Sequence, residues 1–328
     1  MPGAAWTSKL QGVVEATRYT PIAATRICAD LLSPVMPTWK YDKIARASQR
    51  ASLHPLFDPP ITGKYNVDVP GLKLRPTFES LPWWLQGAIK GGVTGVMTNT
   101  SVYTYTFSPT GTADDRKSFT LEVGNDTAAY QIGGALISKL NLGFYADKAM
   151  ALDVDLTAQN FVTQAFTPAL SPAVWEEING SLFKGYVDPT TIGTTLDTGM
   201  TDAQLAITLP WTWVWVGDGN LYPAIAVPKA YSAKLTYTTF FDDTAALVAQ
   251  QANTYRKVRV SVQGTTIAAS SPTTTKSVTV DWYGYFTDAT VQVAQDLWMV
   301  KSTGEATFDA TASTPFSVTV ANALVTLP

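Results

Sequence analysis

Residues 139–157 read KLNLGFYADKAMALDVDLT, a stretch in which apolar and polar side chains alternate twice. The alternation runs through residues 140–144, breaks at Ala146-Asp147-Lys148, and resumes through residues 152–156. A period of two places successive side chains on opposite faces of a strand. The stretch therefore predicts an antiparallel hairpin with one buried face and one wet face.

The same alternation recurs along the chain, which predicts a mainly β fold. Two segments instead have helical features. Residues 78–90 contain the cap residues Glu79 and Ser80 and an early Pro82. Residues 242–253 begin with the cap residue Asp242. The other predicted strands cover residues 103–107, 119–123, 258–262, 278–282 and 316–320.

The order strand, helix, strand, strand, hairpin occurs twice, at an offset of about 154 to 163 residues. In this alignment the strand at Tyr103 matches the strand at Val258, and Asp155-Leu-Thr-Ala matches Asp309-Ala-Thr-Ala. We therefore predict two tandem β domains. The predicted divisions are an N-terminal arm and long loop at 1–62, a first domain at 63–160, a connector at 161–201 and a second domain at 202–328.

Two segments outside these domains have weak periodicity. The connector is rich in proline and glycine, with a short helix predicted at residues 173–178. Residues 26–62 form a predicted arm that becomes ordered only against a partner. The basic residues of this arm are candidates for a contact between subunits or domains: Lys40, Lys43, Arg46 and Arg50.

Composition excludes several classes of protein. The 328 residues are 46% hydrophobic and 15% charged, with a net charge of -3, so a disordered chain is excluded. A pI near 5.2 provides no basic surface for gripping phosphates, so we expect no dedicated nucleic-acid binder. The first residues lack the basic start and apolar run of a signal peptide, so we expect folding in a cytoplasm. No apolar stretch is long enough for a membrane helix.

The residues that usually carry catalysis are scarce. One cysteine, Cys28, and one histidine, His54, support neither a disulfide, a zinc site nor a nucleophile triad. Glu176-Glu177 follows a tryptophan, as in glycoside hydrolases, but adjacent side chains point in different directions. A solvated face of the connector helix explains this pair better. We expect no catalytic residue, no metal site and no cofactor.

Two other acidic segments have no calcium-loop spacing. Residues 217–220 and Asp242-Asp243 do not fit a twelve-residue loop that ends in glutamate. We expect these side chains to serve turns and helix caps.

Tryptophan is the one residue in excess, with ten in the chain. Trp83 and Trp84 belong to the first predicted helix, where packing against a sheet competes with an interface role. Trp211, Trp213 and Trp215 recur at a spacing of two. They suit either a sugar-stacking platform or a contact between domains or subunits, and we favour the contact.

Residues 12–26, GVVEATRYTPIAATR, resemble the start of the major tail tube proteins of long-tailed bacteriophages. The order of later segments is similar to that family as well, and the resemblance covers most of the chain. The chain departs from the short form of the family by containing two tube-like units, as tandem-fused members do. The later segments are residues 105–109, 119–124, 136–144 and 317–322.

The resemblance implies two tandem β-sandwich or half-barrel domains, each with a short flanking helix, whose inner sheets join those of neighbours into a ring-shaped barrel. It implies homotrimeric, pseudo-hexameric rings that self-assemble into the tail tube of a virion, built in the host cytoplasm. The expected partners are a tape-measure protein in the lumen and terminator and tail-tip proteins at the ends. DNA would pass without specific binding, helped by an acidic lumen, and no membrane would be involved.

Two other classes of function remain open from the residues. The aromatic excess and Glu176-Glu177 also fit a carbohydrate-binding or glycoside-hydrolase β-sandwich. Another virion component, such as a tail terminator or a capsid decoration protein, would share the mainly β composition. A tube subunit is expected to form rings, whereas the carbohydrate-active alternative is expected to be a monomer that binds oligosaccharide.

Overall fold

The structure is a computed structural model that describes residues 9–28, 31–33, 36–44, 61–111, 113–125, 128–241, 244–268, 270–294 and 296–327. The described residues form a mainly β protein with antiparallel strands, which confirms the predicted fold class at this level. Its helices are α1 (Leu81–Ala88), α2 (Ala245–Gln251) and a 3-10 turn at Gly180–Leu182. The strands are β1 (Lys9–Val14), β2 (Arg26–Ile27), β3 (Thr38–Ile44), β4 (Ile61–Leu74), β5 (Val96–Asn99), β6 (Val102–Phe107), β7 (Phe119–Gly124), β8 (Ala129–Tyr145), β9 (Ala151–Ala158), β10 (Asn160–Thr163), β11 (Lys184–Asp188), β12 (Leu196–Asp197), β13 (Met200–Thr208), β14 (Trp211–Val214), β15 (Ile225–Pro228), β16 (Ser232–Phe240), β17 (Tyr255–Thr266), β18 (Thr275–Ala294), β19 (Leu297–Ala306) and β20 (Phe316–Asn322).

Eight strands form one continuous open sheet, which we call the long sheet. Its order is β3-β4-β9-β8-β13-β16-β19-β18. The hairpin predicted at residues 139–157 lies within it as β8 and β9, with Leu142 opposite Leu152, and is confirmed. Strand β13 joins the two halves of the chain, because it pairs with β8 on one side and with β16 on the other.

Two smaller groups of strands cover the apolar face. The first cover sheet has the order β2-β1-β7-β8-β10. The second cover sheet has the order β12-β11-β17-β18-β20-β6-β5. Side chains from the long sheet and from both cover sheets belong to one hydrophobic cluster, so the two halves share a core.

Strands β8 and β18 each belong to two sheets. Residues 129–135 of β8 pair in the first cover sheet, and residues 136–145 pair in the long sheet. At the change of sheet Gly134 has a φ of 62°, and a Cβ there would lie 2.8 Å from the ring of Tyr19. Glycine suits this position because other residues rarely adopt such a φ and would meet the ring. In β18 the change of sheet coincides with a bulge between Phe286 and Asp288.

Helix α1 fills the space beside the first cover sheet. The ring of Phe119 lies 4.4 Å from that of Trp83 and 5.9 Å from that of Trp84, and all three side chains are buried. Of the two alternatives left open for this tryptophan pair, packing against a sheet is the one that the structure shows. The helix is shorter than predicted, because Thr77 and Ser80 bond each other's backbone N–H with their hydroxyl oxygens and form a turn before it.

The pairing pattern of β1 to β10 recurs in β11 to β20. In the first half β7 pairs with β8, β8 with β9 and β9 with β4; in the second, β17 pairs with β18, β18 with β19 and β19 with β16. The flanking strands correspond too, since β1 and β10 lie beside β7 and β8 as β11 and β20 lie beside β17 and β18. Likewise β3 lies on β4 as β13 lies on β16.

The alignment proposed from sequence differs from this correspondence. The strand at Val258 is the counterpart of β7, so its predicted match to the strand at Tyr103 is wrong. The predicted match of Asp155 to Asp309 is also wrong, because Asp155 lies in β9 and Asp309 follows β19. The hairpin β5-β6 is inserted only in the first half, and β14-β15 only in the second, which shifts the offset along the chain.

The connector has no helix at residues 173–178, so that prediction is wrong. Its backbone forms hydrogen bonds with distant segments instead. Ile178 N donates to Pro76 O, and Ile178 O accepts from Met150 N. Glu177 forms a β-bridge with Thr77. Tertiary pairing replaces the hydrogen bonds that a helix would have made.

The N-terminal arm predicted at residues 26–62 contains regular structure. Strand β2 pairs with β1, and β3 pairs with β4 from Thr38 opposite Asp68 to Ile44 opposite Ile61. Strands β2 and β3 thus pair within the chain itself, and the dependence of the arm on a partner for its order stays a prediction. Residues 45–60, with His54, lie outside the described residues, as do Asp242 and Asp243 before α2.

We predict that Phe119→Ala lowers the free energy of unfolding by about 3–5 kcal/mol, because it removes a buried ring against α1. Chemical denaturation of the dilute protein measures the change. Phe308→Ala is the matched control, since Phe308 is exposed and should cost less than about 0.5 kcal/mol. Equal losses in both variants would contradict the assigned core.

A second prediction concerns acid stability. Burial opposes the charge of Asp309, but hydrogen bonds from Ala312 N, Lys257 and Tyr255 outweigh it and lower its pKa from 3.8 to about 2. A carboxyl whose pKa is lower in the folded state stabilises the fold above its unfolded pKa and loses that effect as the pH falls. Stability should therefore drop by roughly 2 kcal/mol between about pH 4 and pH 2 through this group.

The test compares Asp309→Asn with Asp147→Asn, a variant of an exposed carboxyl. Urea unfolding at pH 2, 4 and 7 should show a smaller pH dependence in Asp309→Asn than in the wild type. Asp147→Asn should keep the wild-type profile. An unchanged profile in Asp309→Asn would contradict the prediction.

Candidate functional site: edges and polar face of the long sheet

The long sheet ends in two strands with unoccupied sides. Among the described residues, β3 pairs only with β4, and residues 286–294 of β18 pair only with β19. A strand edge presents backbone N–H and C=O groups that can pair with another chain. These two edges are therefore candidate binding surfaces.

Two strand edges of this kind already pair with each other inside the chain. Residues 139–145 of β8 pair with residues 202–208 of β13 in an unbroken antiparallel register. In the recurring pattern β8 corresponds to β18, and β13 corresponds to β3. The two free edges are thus the counterparts of the two strands that the internal joint connects.

One face of the long sheet is polar along its length. Cross-strand partners on it include Lys73 with Asp153, Lys234 with Glu305 and the threonine pair at 236 and 303. Basic and acidic side chains are interspersed, so the face has no block of one sign. If this face lines the lumen of a tube, its mixed charges do not supply the acidic lining that the sequence led us to expect. Charged side chains of the face include Lys73, Lys139, Lys234, Lys301, Asp153, Asp155, Asp202, Asp288 and Glu305.

The tryptophans predicted as contact residues lie in or beside the β14-β15 hairpin, which packs on the first half of the chain. Trp211 donates its Nε1–H to Ile137 O at 2.8 Å, and Trp213 donates to Thr157 Oγ1 at 2.9 Å. The guanidinium of Arg116 lies 4.2 Å from the centre of the Trp211 ring. This face of the hairpin thus contacts residues of its own chain, and a contact between subunits there stays a prediction.

Trp215 follows the hairpin strand. Its ring centre lies 5.9 Å from Lys64 Nζ, and its buried Nε1 has no hydrogen-bond partner among the described residues. The opposite face of the hairpin is apolar and solvent-exposed through Ile225 and Val227. An exposed apolar surface of this kind is typical of interaction sites.

The basic residues predicted in the arm are only partly described. Lys40 Nζ lies 2.6 Å from Asp68 Oδ2, next to exposed Trp39 and Tyr41 on the free β3 edge. Lys43 belongs to β3, but its side chain lies outside the described residues, as do Arg46 and Arg50. Of these four basic residues, the structure therefore describes the side chain of Lys40 alone.

The candidate catalytic carboxylates do not form an acid–base pair. Burial opposes the charge of Glu176, but hydrogen bonds from Thr265 and the ammonium of Lys276 outweigh it and lower its pKa. A general acid of a glycosidase needs a raised pKa. Glu177 is exposed, and Cys28 is buried. Asp218 accepts from Asn220 N in a turn, which confirms the predicted turn role of that segment.

Comparison with models of protein families and with curated protein sequences found no match to this chain. Over the residues that the structure describes, no helix is both long and apolar enough to cross a membrane. Within the same ranges, no group of three or more His, Cys, Asp or Glu side chains could hold a metal ion. The function has to be argued from the geometry of the chain itself.

We predict that Trp213→Asp loosens the hairpin from the first half, because aspartate can neither stack beside Tyr19 nor donate to Thr157. The expected loss is about 2 kcal/mol in the unfolding free energy of the dilute protein, since the ring is half-buried. Thr212→Asp, on the exposed face of the same strand, is the control and should change it little. If both variants lose the same stability, the packing of this hairpin is misassigned.

Proposed function

We propose that this chain is the major subunit of a bacteriophage tail tube, with three copies closing a ring and rings stacking into a conduit for DNA. The observation that carries the proposal is the correspondence between the joint inside the chain and the two free edges. Each half contributes four strands to the long sheet, namely β3, β4, β9 and β8, then β13, β16, β19 and β18.

Ring closure follows from repeating the internal joint between chains. The free side of β18 in one copy would pair with β3 of the next copy, as β8 pairs with β13 within the chain. Such head-to-tail contacts form a closed ring if the rotation closes. Closure removes both open edges, which would otherwise be sites of aggregation.

Three chains would contribute 24 strands to the barrel, at eight strands each. An interstrand spacing of about 4.8 Å and a tilt of about 40° give a backbone diameter of roughly 45–50 Å. Barrels of about 16 to 18 strands already enclose a water-filled channel. The choice of three copies follows the tandem-fused tail tube proteins that the sequence resembles, in which six tube domains complete a ring.

The polar face of the long sheet suits the lining of such a channel. Its apolar face is covered by the core, so the polar face is the one left to face a lumen. Interspersed lysines and carboxylates give DNA phosphates no continuous basic track, so binding would be weak and nonspecific. A tape-measure protein would occupy this lumen during assembly, and terminator and tail-tip proteins would close the ends of the tube in the virion.

Contacts between stacked rings would come from two corresponding connections between strands, one in each half of the chain. Residues 45–60 connect β3 with β4, and residues 209–231, with the β14-β15 hairpin, connect β13 with β16. The exposed apolar side chains of the hairpin support a role in stacking. Replacement of residues 45–60 by a two-residue Asn-Gly turn should therefore preserve rings and prevent long tubes.

The proposal predicts that the purified chain forms trimeric rings as its concentration rises. Negative-stain microscopy and native mass spectrometry measure the shape and the number of chains. A monomer at all concentrations would contradict the assembly, and six chains per ring would contradict the tandem arrangement. A monomer that binds oligosaccharide would favour the carbohydrate-active alternative.

An edge-blocking pair tests which strand closes the ring. Successive N–H groups of a strand point to opposite sides, so of Thr290→Pro and Val291→Pro one removes an outward donor and the other weakens the pairing with β19. The variant that keeps the wild-type unfolding midpoint should remain monomeric. Rings from that variant would show that β18 is not the closing edge.

A further inference from the structure

Strand β2 carries a buried arginine for which the described residues supply no carboxylate partner. Arg26 is only 7% exposed and lies opposite Gly12 of β1. Its Nε and Nη1 are buried and have no hydrogen-bond partner within the part of the chain that the structure describes. An unpaired buried charge is strongly unfavourable, so a group that pairs with this guanidinium would be bound favourably.

The guanidinium is held between two aromatic rings. Its central carbon lies 4.9 Å from the ring centre of Trp83 and 5.1 Å from that of Trp175. Stacking on indole rings fixes the plane of a guanidinium. The arginine is therefore oriented before any partner arrives.

Two other arginines, one buried and one half-buried, show what is missing. Arg116, 8% exposed and also stacked on a tryptophan, has its Nε 2.6 Å from Asp114 Oδ1. Arg259 binds Asp281 through two bonds of 2.6 and 2.8 Å. The chain thus supplies a carboxylate to each of these guanidiniums, and Arg26 differs from them.

Arg26 lines a cavity of about 120 Å³. Arg75 adds a second guanidinium to its wall, and Thr77 adds a hydroxyl whose hydrogen can be donated, since its oxygen already accepts from Ser80 N. Glu177 is the one carboxylate among the lining residues, and it is exposed. The wall therefore carries a net positive charge.

We propose that this cavity binds a small oxyanion, a phosphate or a carboxylate, through the guanidinium of Arg26. A planar guanidinium matches both groups with two parallel N–H···O bonds. Arg75 and the Thr77 hydroxyl supply further donors, and Glu177 weakens binding by repulsion. The site is independent of the ring assembly proposed above.

The two sources of this chemistry can be separated by titration. Inorganic phosphate and acetate are added in turn to the dilute full-length protein at constant ionic strength, with calorimetry and the thermal midpoint as readouts. Saturable binding of phosphate alone, acetate alone or both supports the site and identifies its ligand class. No saturable binding of either anion would overturn it.

Variants tie the binding to the cavity. Arg26→Gln should weaken binding at least roughly tenfold, and Arg26→Lys should weaken it less, because lysine keeps the charge but loses the fork. Glu177→Gln should tighten binding, and Lys301→Gln, a remote charge control, should leave it unchanged. If Arg26→Gln does not fold, the anion affinities of Arg26→Lys and Glu177→Gln still test the proposal. Wild-type affinity in both of those variants would overturn the proposal.

Discussion

The fold depends on two strands that hydrogen-bond in two sheets at once. Strand β8 leaves the first cover sheet near Gly134 and continues into the long sheet, and β18 does the same at the bulge after Phe286. Because each strand is continuous, the two sheets cannot separate, and their apolar faces must enclose a common core. The position of α1, with Trp83 and Trp84 against Phe119, follows from that enclosure.

The same continuity creates the free edges. Once β8 has left β7, its side is open, and β13 from the second half occupies it. Once β18 has left β17, the same side is open again, and the described residues of this chain supply no further strand. The long sheet thus ends in the free side of β18 at one end and the free side of β3 at the other. The two sides are complementary because their counterparts, β8 and β13, pair with each other inside the chain. This relation supports the ring more directly than the composition does.

Two buried carboxylates show how the chain accommodates a buried charge, and Arg26 differs from them. Glu15, directly after β1, and Asp188, the last residue of β11, are both buried, and each accepts several hydrogen bonds from backbone and hydroxyl groups. These hydrogen bonds explain why buried carboxylates are tolerated there. The Nε and Nη1 of Arg26 have no such partners among the described residues, which marks its cavity as a place where a ligand would stabilise the fold.

The sequence by itself determined the local structure and little of its arrangement. Alternation with a period of two identified the β8-β9 hairpin, and capping residues with Pro82 located α1, because these signals act between near neighbours. The sequence also marked Trp211 and Trp213 as contact residues, but their partners Ile137 and Thr157 lie far away in the chain. The tertiary structure alone decided which strands pair, that residues 173–178 form no helix and which edges stay free. Strand order depends on hydrogen bonds between distant segments, and no local pattern encodes those bonds.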